Sequence, residues 1–375
     1  MTQALLSPVS PEVEASDPFE GTPYRMIRRL ARGGMGQVYL VEHRELGREC
    51  VAKLVHEKLA SEPELLERVR IEAEALGALN HPNIVSVNNF GTTRDGRPFI
   101  VMEYLQGKDL GRALASGRTF TAAEAIDLVL QASRGLAAAH AIGLVHRDIK
   151  PDNLFLQEES DGSITLKVLD FGVARVIPGV SPDTPTPLLQ PTKTGVIVGT
   201  LRYGSPEGMS GHRVDYRADI YSLGLVLYRL LARRSPFGDD LTDAGVISAC
   251  LTEEAKPPSF FAPIRIPNEL DNVVLKALLK SPDERYASMK EFGEALALAR
   301  THVEAEVDDG KAAPIPLMAR ADAAESLAST VPAARNNVSG RAQLVNGILF
   351  VVVLLVTALV VGIVVSQMRY AGVSP

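Results

Sequence analysis

The sequence predicts an α+β chain with a small β-rich lobe, a larger helical lobe and one membrane-spanning helix near its end. Apolar runs of strand length lie early, at 38–41 and 99–105. Apolar residues at helical spacing occupy 64–76, and a longer apolar helix is predicted at 219–231. An unbroken apolar run follows at 347–365. The 375 residues are enough for two separate cores.

A glycine-rich turn is expected between the first two strands. Glycines lack a Cβ atom, so the backbone there can close over a triphosphate and offer it N–H groups. Taken alone, such a cluster also fits an ordinary hairpin turn. The candidate nucleotide-binding residues of this turn are Ala31, Arg32, Gly33, Gly34, Met35, Gly36 and Val38.

The strongest signal is the segment His-Arg-Asp-Ile-Lys-Pro-Asp-Asn at 146–153, followed by Asp-Phe-Gly at 170–172. A phosphoryl-transfer site needs a base for the accepting hydroxyl, ligands for Mg²⁺ and cations for the phosphates. Asp148 is the candidate base, and Lys150 is the candidate cation for the transferred phosphate. Asn153 and Asp170 are the candidate metal ligands.

These two motifs, in this order, resemble the signature of protein kinases, and Lys150 places them in the serine/threonine branch. The chain resembles bacterial eukaryotic-like (Hanks-type) kinases with a C-terminal membrane span. The resemblance implies the bilobal protein-kinase fold over residues 24–301, with lobes at about 24–104 and 105–301. It also implies ATP and Mg²⁺, with Mn²⁺ as the alternative metal.

In the first lobe the resemblance implies further nucleotide contacts. Ala52 and Lys53 belong to the third strand, where the lysine pairs with the α- and β-phosphates. Its ion-pair partner on the following helix is expected to be Glu72, with Glu74 as the competitor. Ala31 occupies the place of the first glycine in the family pattern.

The resemblance also assigns the strand at 99–105 to the adenine site. Met102 is expected beside the adenine, and the backbone from Glu103 to Leu105 is expected to bind the base. A purely structural role for Met102 is compatible with this, since core residues wall an adenine pocket.

In the second lobe the resemblance implies structural residues. Asp219 is expected to brace the backbone of the catalytic segment. Glu207 is expected to form an ion pair with Arg285. Ser205 stands where the family has an alanine.

The segment between Asp170 and Glu207 is rich in proline, which favours an exposed loop. By resemblance, Thr192 and Thr194 are expected to be autophosphorylated. Arg147 is the cation expected to pair with such a phosphate and order the loop.

Net charge and cysteine content indicate which classes of partner and which compartment to expect. The net charge is −6 and there is no long basic run, which argues against nucleic acid. The two cysteines lie in different lobes, as suits a reducing compartment.

The remaining segments are assigned from their composition. Residues 1–23 are expected to be flexible, 302–343 to be a disordered linker, 345–366 to form the transmembrane helix and 367–375 a short extracytoplasmic tail. The kinase lobes are then cytoplasmic, on a single-pass protein of the cell membrane, because ATP is confined to the cytoplasm.

The expected function is therefore a membrane-anchored, non-specific serine/threonine protein kinase activated by autophosphorylation. Its expected partners are protein substrates, the lipid bilayer and a second copy for phosphorylation in trans. A pseudokinase scaffold and a small-molecule phosphotransferase are the alternatives, while Lys150 disfavours a tyrosine kinase. Membrane clustering, a transmembrane partner and a cytosolic ligand all stay open as input signals.

Overall fold

A computed structural model describes residues 17–33, 36–56, 63–171 and 201–308 of the chain. Within these ranges the side chains of residues 33, 63–66, 68, 69, 72 and 304–308 are not described.

The sheet lobe is built on one antiparallel sheet with strand order β1-β2-β3-β5-β4. A helix, α1, connects β3 to β4. The elements are β1 (Tyr24–Gly33), β2 (Gly36–His43), β3 (Glu49–Val55), α1 (Pro63–Ala78), β4 (Val87–Thr92) and β5 (Pro98–Glu103).

The start of the sheet lobe lies earlier than the sequence analysis placed it. Residues 17–23, expected to be flexible, form turns, and the Phe19 side chain is completely buried. Its ring packs edge-on against Tyr39 and Phe99, with ring centroids 5.5 and 5.3 Å apart. The expectation of a flexible segment is therefore wrong for residues 17–23. A single aromatic residue gives no periodicity, so its anchoring role was not visible in the sequence.

The helical lobe surrounds α5, which is almost entirely buried. A small sheet of order β6-β7-β8 lies on this lobe. The elements are β6 (Gly107–Asp109), α2 (Leu110–Ala115), α3 (Ala122–Ala141), β7 (Leu154–Glu158), β8 (Ile164–Val168), α4 (Pro206–Met209), α5 (Arg217–Ala232), α6 (Asp243–Thr252), α7 (Asn268–Ala277) and α8 (Met289–Asp308).

Local sequence determines where several of these helices begin. Thr121 and Glu124 form a reciprocal capping box at the start of α3. Ser205 caps α4 by accepting a hydrogen bond from the Gly208 N–H at 3.4 Å. The serine that replaces the family's alanine thus starts a helix.

The last described helix, α8, ends at Asp308, which corrects the expected start of the linker at residue 302. Val303 is only 8% exposed and belongs to the core, so packing extends the helix beyond the expected boundary. None of the described helices is both long and apolar enough to span a membrane. The predicted span at 345–366 lies outside the described residues.

Each lobe holds one buried cysteine. Cys50 lies in β3 and is 4% exposed, whereas Cys250 lies in α6 and is 2% exposed. Burial raises the pKa of the Cys250 thiol. Both are free thiols.

Candidate active site

Strand register determines which side chains of the sheet lobe face the helical lobe. Lys53 pairs with Val38 on β2, and Val51 pairs with Met102 on β5. Residues two apart on a strand share a face, so Val51 lies on the same face as Lys53. Ala52 lies on the opposite face, fully buried beside Phe19 and its neighbours. The assignment of Ala52 to the nucleotide site is therefore wrong, and Val51 takes its place.

The glycine-rich turn approaches β3 closely at Gly36. A Cβ added to Gly36 would lie 2.1 Å from the Leu54 carbonyl oxygen, so only glycine fits there without a backbone shift. Ala31 and Arg32 are exposed on β1, and the Gly33 backbone ends that strand. Gly34 and Met35 lie outside the described residues.

Lys53 reaches across to the other lobe. Its Nζ lies 2.8 Å from Oδ1 of Asp170. Desolvation raises the pKa of Asp170, but the charge and the hydrogen bond of Lys53, together with the charge of Lys150, outweigh it, so this pKa lies below its ordinary value. The contact brings a candidate phosphate-binding cation and a candidate metal ligand together from residues 117 positions apart.

The predicted partner of Lys53 on α1 is only partly described. Glu72 belongs to the helix, but its side chain lies outside the described side chains. The competitor, Glu74, is paired with Arg70 on the surface of the same helix. Glu74 is therefore engaged elsewhere.

The carboxylate of Asp148 is held from two sides. Lys150 Nζ lies 3.0 Å from Asp148 Oδ2, and the Asn153 amide nitrogen donates to the same oxygen at 3.2 Å. That amide nitrogen also donates to the Asp148 carbonyl oxygen at 2.8 Å. With its nitrogen engaged in this way, Asn153 keeps its carbonyl oxygen as the atom that can ligate a metal.

Asp219 fixes the backbone on which Asp148 stands. Its Oδ2 accepts from the His146 N–H and its Oδ1 from the Arg147 N–H, both at 2.8 Å. His140 Nε2 lies 2.8 Å from the same Oδ2. Arg147 has a φ of 62°, in the left-handed region that costs a non-glycine residue about 1–3 kcal/mol. The buried carboxylate thus holds a strained turn directly before Asp148.

His146 connects the two catalytic segments. Its Nδ1 accepts from the Asp148 N–H at 3.2 Å, and its Nε2 lies 2.8 Å from the Leu169 carbonyl oxygen. These partners require a neutral ring protonated on Nε2. Burial lowers the pKa of His146, which agrees with that tautomer. Asp170, which follows Leu169, has a φ of 49° and so, like Arg147, lies in the left-handed region.

Glu207 and Arg285 form the expected ion pair within the helical lobe. The guanidinium makes two hydrogen bonds to the carboxylate, at 2.9 and 2.7 Å, and their side chains are 8% and 0% exposed. The remaining guanidinium protons go to the carbonyl oxygens of Leu279, Arg217 and Lys280. The pair is therefore buried and fully hydrogen-bonded.

Phe155 on β7 lies beside Gly107, just after the segment expected to bind adenine, and was not among the predicted site residues. Phe155 alternates along β7 with the buried Leu154 and Leu156, so it lies on the other face. An atom of its ring lies 3.3 Å from the position that a Cβ would take on Gly107. Met102 packs against a small apolar cluster formed by Ala73 of α1 and Ile100 of β5. Period-two alternation in 154–158 was the available signal for Phe155.

The predicted phosphorylation sites Thr192 and Thr194 lie outside the described residues. Arg147, the cation assigned to them, is exposed.

The candidate metal ligands fit a magnesium ion held by few protein groups. Mg²⁺ in phosphate-transfer sites is bound by one or two carboxylates together with substrate phosphates and waters. Asp170 supplies a carboxylate with a lowered pKa and Asn153 an amide oxygen. Among the described residues no cluster of three or more His, Cys, Asp or Glu side chains could hold a metal alone.

Comparison with known proteins agrees with this geometry. The protein kinase domain family matches residues 24–295. Serine/threonine-protein kinase Pkn1 of Myxococcus xanthus is 40% identical over 293 residues, which are 77% of this chain and 40% of that protein. Serine/threonine-protein kinase PknA of Mycobacterium tuberculosis is 34% identical over 281 residues, 74% of this chain and 61% of that protein. The chain thus spans less than two thirds of the length of these relatives.

Solved structures give the same result. The Mycobacterium tuberculosis PknI kinase domain superposes with a TM-score of 0.55 at 28% identity, covering 74% of this chain and 96% of that one. The two lobes, the Asp148 and Asp170 segments and the family match over 24–295 together establish that the chain belongs to the protein kinase domain family.

Proposed function

We propose that this chain is a serine/threonine protein kinase that transfers the γ-phosphate of ATP to hydroxyl groups of proteins. The observation that carries the proposal is the Asp148 carboxylate, held by Lys150 and Asn153 on a strained and braced turn. The names of the relatives, serine/threonine-protein kinases, support the same class of substrate.

In the proposed reaction Asp148 orients a serine or threonine hydroxyl and accepts its proton. The hydroxyl oxygen attacks the γ-phosphorus while the bond to the ADP oxygen breaks. Lys150, 3.0 Å from Asp148, is near enough to the attacking oxygen to stabilise charge on the transferred group. The base and the cation thus act as one unit.

Lys53 and Asp170 exchange partners when nucleotide binds. Lys53 turns its ammonium to the α- and β-phosphates, and Asp170, with Asn153, becomes available to metal. When bound, Mg²⁺ neutralises charge on the phosphate oxygens. The ion pair seen in the structure therefore keeps both groups close together until ligands replace it.

Phosphate transfer from labelled MgATP by the purified chain tests the proposal. Protein acceptors and small-molecule alcohols such as aminoglycosides are offered side by side, with Asp148→Asn as the control. We expect label on serine and threonine of proteins, and none with the variant. Label on the small molecules alone would indicate a small-molecule phosphotransferase. Bound nucleotide without transfer would indicate a pseudokinase scaffold.

We further propose that the chain is anchored in the cell membrane by residues 345–366 and activated by autophosphorylation at Thr192 or Thr194. The apolar run at 347–365 and the threonines before residue 200 support these two proposals. Membrane extraction of the full chain and of a variant lacking 345–366 tests the first. Phosphopeptide mapping against Thr192→Ala and Thr194→Ala tests the second.

A further inference from the structure

One carboxylate in the cleft region is fixed by contacts that the reaction does not use. Oε1 of Glu103, the last residue of β5, accepts a hydrogen bond from the Ser86 N–H at 2.7 Å. The same oxygen lies 2.8 Å from Nζ of Lys167 in β8. The Glu103 N–H returns a hydrogen bond to the Ser86 carbonyl oxygen at 3.1 Å. Glu103 begins the backbone segment expected to bind adenine.

Lys167 makes this contact from the other lobe. The Lys167 and Glu103 side chains are 11% and 25% exposed, so the pair is only partly open to water. Charged pairs that are partly shielded from water interact more strongly than fully exposed pairs. The adenine-binding segment is thereby tied to a strand of the helical lobe.

The segment 83–86, which holds Glu103 from the other side, is itself anchored to β8. The Val85 N–H donates to the Val168 carbonyl oxygen at 3.0 Å, and the Val168 N–H donates to the Asn83 carbonyl oxygen at 2.8 Å. The Asn83 side-chain amide donates to the Leu166 carbonyl oxygen at 2.9 Å. These bonds attach segment 83–86 to β8 of the small sheet.

Helix α3 closes the arrangement on a further side. A Cβ added to Gly135 would lie 2.9 Å from the Asn83 carbonyl oxygen, so the helix and the segment are in direct contact. Gln131 accepts the Leu166 N–H at 2.8 Å. Segment 83–86 therefore packs against the helical lobe, although it precedes β4 in the chain.

From these contacts we propose that Lys167 is a positioning residue for the nucleotide. It holds Glu103 against segment 83–86 and so fixes the backbone of 103–105 before adenine arrives. A backbone already placed for its ligand loses less entropy on binding than a free one. Lys167 touches neither phosphate nor hydroxyl in this role, which rests on the proposed kinase function only in naming adenine as the ligand.

The test compares the full chain with Lys167→Met, Lys167→Arg and Lys276→Met. Lys276 is the matched control because it also forms an ion pair, 3.3 Å from Glu291, but on α7 and away from the cleft. The affinity for the fluorescent nucleotide mant-ADP, the KM for ATP and kcat are measured for each protein, with thermal unfolding to confirm folding.

For Lys167→Met we expect KM and the mant-ADP dissociation constant to rise about three- to tenfold, with kcat changed less than about twofold. Lys167→Arg restores the charge and should stay within about twofold of the wild-type affinity, as should Lys276→Met. Unchanged affinity in a folded Lys167→Met protein would overturn the proposal, as would a loss of kcat alone.

A double variant separates positioning from simple loss of charge. If Lys167 acts through Glu103, adding Glu103→Gln to Lys167→Met should weaken mant-ADP binding little further. Independent, additive losses would contradict this coupling. A wild-type protein that binds mant-ADP but transfers no phosphate would refute the kinase function, while the affinities would still decide the role of Lys167.

Discussion

Two ion pairs of this molecule, Arg285 with Glu207 and Lys53 with Asp170, differ in how far they are buried and in how many hydrogen bonds they make. In the helical lobe, Arg285 and Glu207 are buried and every guanidinium nitrogen has a protein acceptor. In the cleft, Lys53 and Asp170 are 20% and 44% exposed and meet through one contact. The first pair is complete without a ligand. The second can exchange its partners for phosphate and metal, which is what a site of transfer requires.

The difference shows how the fold separates support from chemistry. Both carboxylate oxygens of Asp219 accept hydrogen bonds from backbone N–H groups, those of His146 and Arg147. Asp148, two residues from His146, is held by the side chains of Lys150 and Asn153. Rigid groups therefore hold the backbone, and exchangeable groups meet the substrate.

The largest effect should come from breaking the buried pair. Arg285→Met leaves the Glu207 carboxylate buried without its cation, which typically costs about 3–5 kcal/mol of unfolding free energy. Denaturant unfolding measures it. The double variant Arg285→Met/Glu207→Leu should lose less than the single one, because no lone charge remains. If Arg285→Met lost less than about 1 kcal/mol of unfolding free energy, a structural role for this pair would be contradicted.

Breaking the cleft pair should change activity instead of stability. Lys53→Met removes the phosphate cation, and we expect kcat/KM to fall about a hundredfold or more, equivalent to about 2.7 kcal/mol. Because the pair is partly exposed, the unfolding free energy should change by less than about 1 kcal/mol. Steady-state kinetics and denaturant unfolding on the same preparation check both halves. A variant that loses stability and keeps its activity would reverse the comparison.

The free energy of unfolding should also depend on pH, because His146 is buried. Burial lowers the pKa of His146 from its ordinary 6.5, so the unfolded chain binds a proton more readily than the folded one. The unfolding free energy should therefore fall as the pH drops below about 6.5, by up to about 1.4 kcal/mol per pH unit, until the folded pKa is reached. His146→Gln should reduce that slope. His81→Gln is the comparison variant: the pKa of His81 is also lowered, but His81 is more exposed, so its removal should reduce the slope less. Equal slopes in wild type and His146→Gln would refute the prediction.

The smallest effect should come from an ion pair at the start of α5 whose acidic partner lies at the surface. Arg217 pairs with Asp283 at 2.5 Å, but the Asp283 side chain is 85% exposed and Asp215 also pairs with Arg217. Asp283→Asn should change the unfolding free energy by less than about 1 kcal/mol. A loss near that of Arg285→Met would show that exposure does not separate the two kinds of pair.

Much of this architecture could be read from the sequence, because motifs report chemistry that tolerates few residue types. Lys53, Asp148, Asn153 and Asp170 were identified in this way, and the structure brings Lys53 to Asp170 and Asn153 to Asp148. The error at Ala52 came from reading a motif without strand alternation, which assigns Val51 to the cleft.

Other features depend on packing between distant segments and left no local pattern. Phe19 is buried by rings on two strands, and Val303 extends α8 through core contacts. The pairing of Glu103 with Lys167 joins residues 64 positions apart. The sequence analysis assigned Glu103 a backbone role only and assigned Lys167 none, so only the three-dimensional arrangement shows the contact.

The two buried cysteines have a practical consequence for measuring how this protein opens. A thiol that is shielded in the native state reacts with a labelling reagent only when its surroundings open, so its rate reports a local opening free energy. Cys50 reports on the sheet lobe and Cys250 on the helical lobe, and the chain has no third cysteine. A single labelling time course, resolved by peptide, would therefore show which half of the protein gives way first.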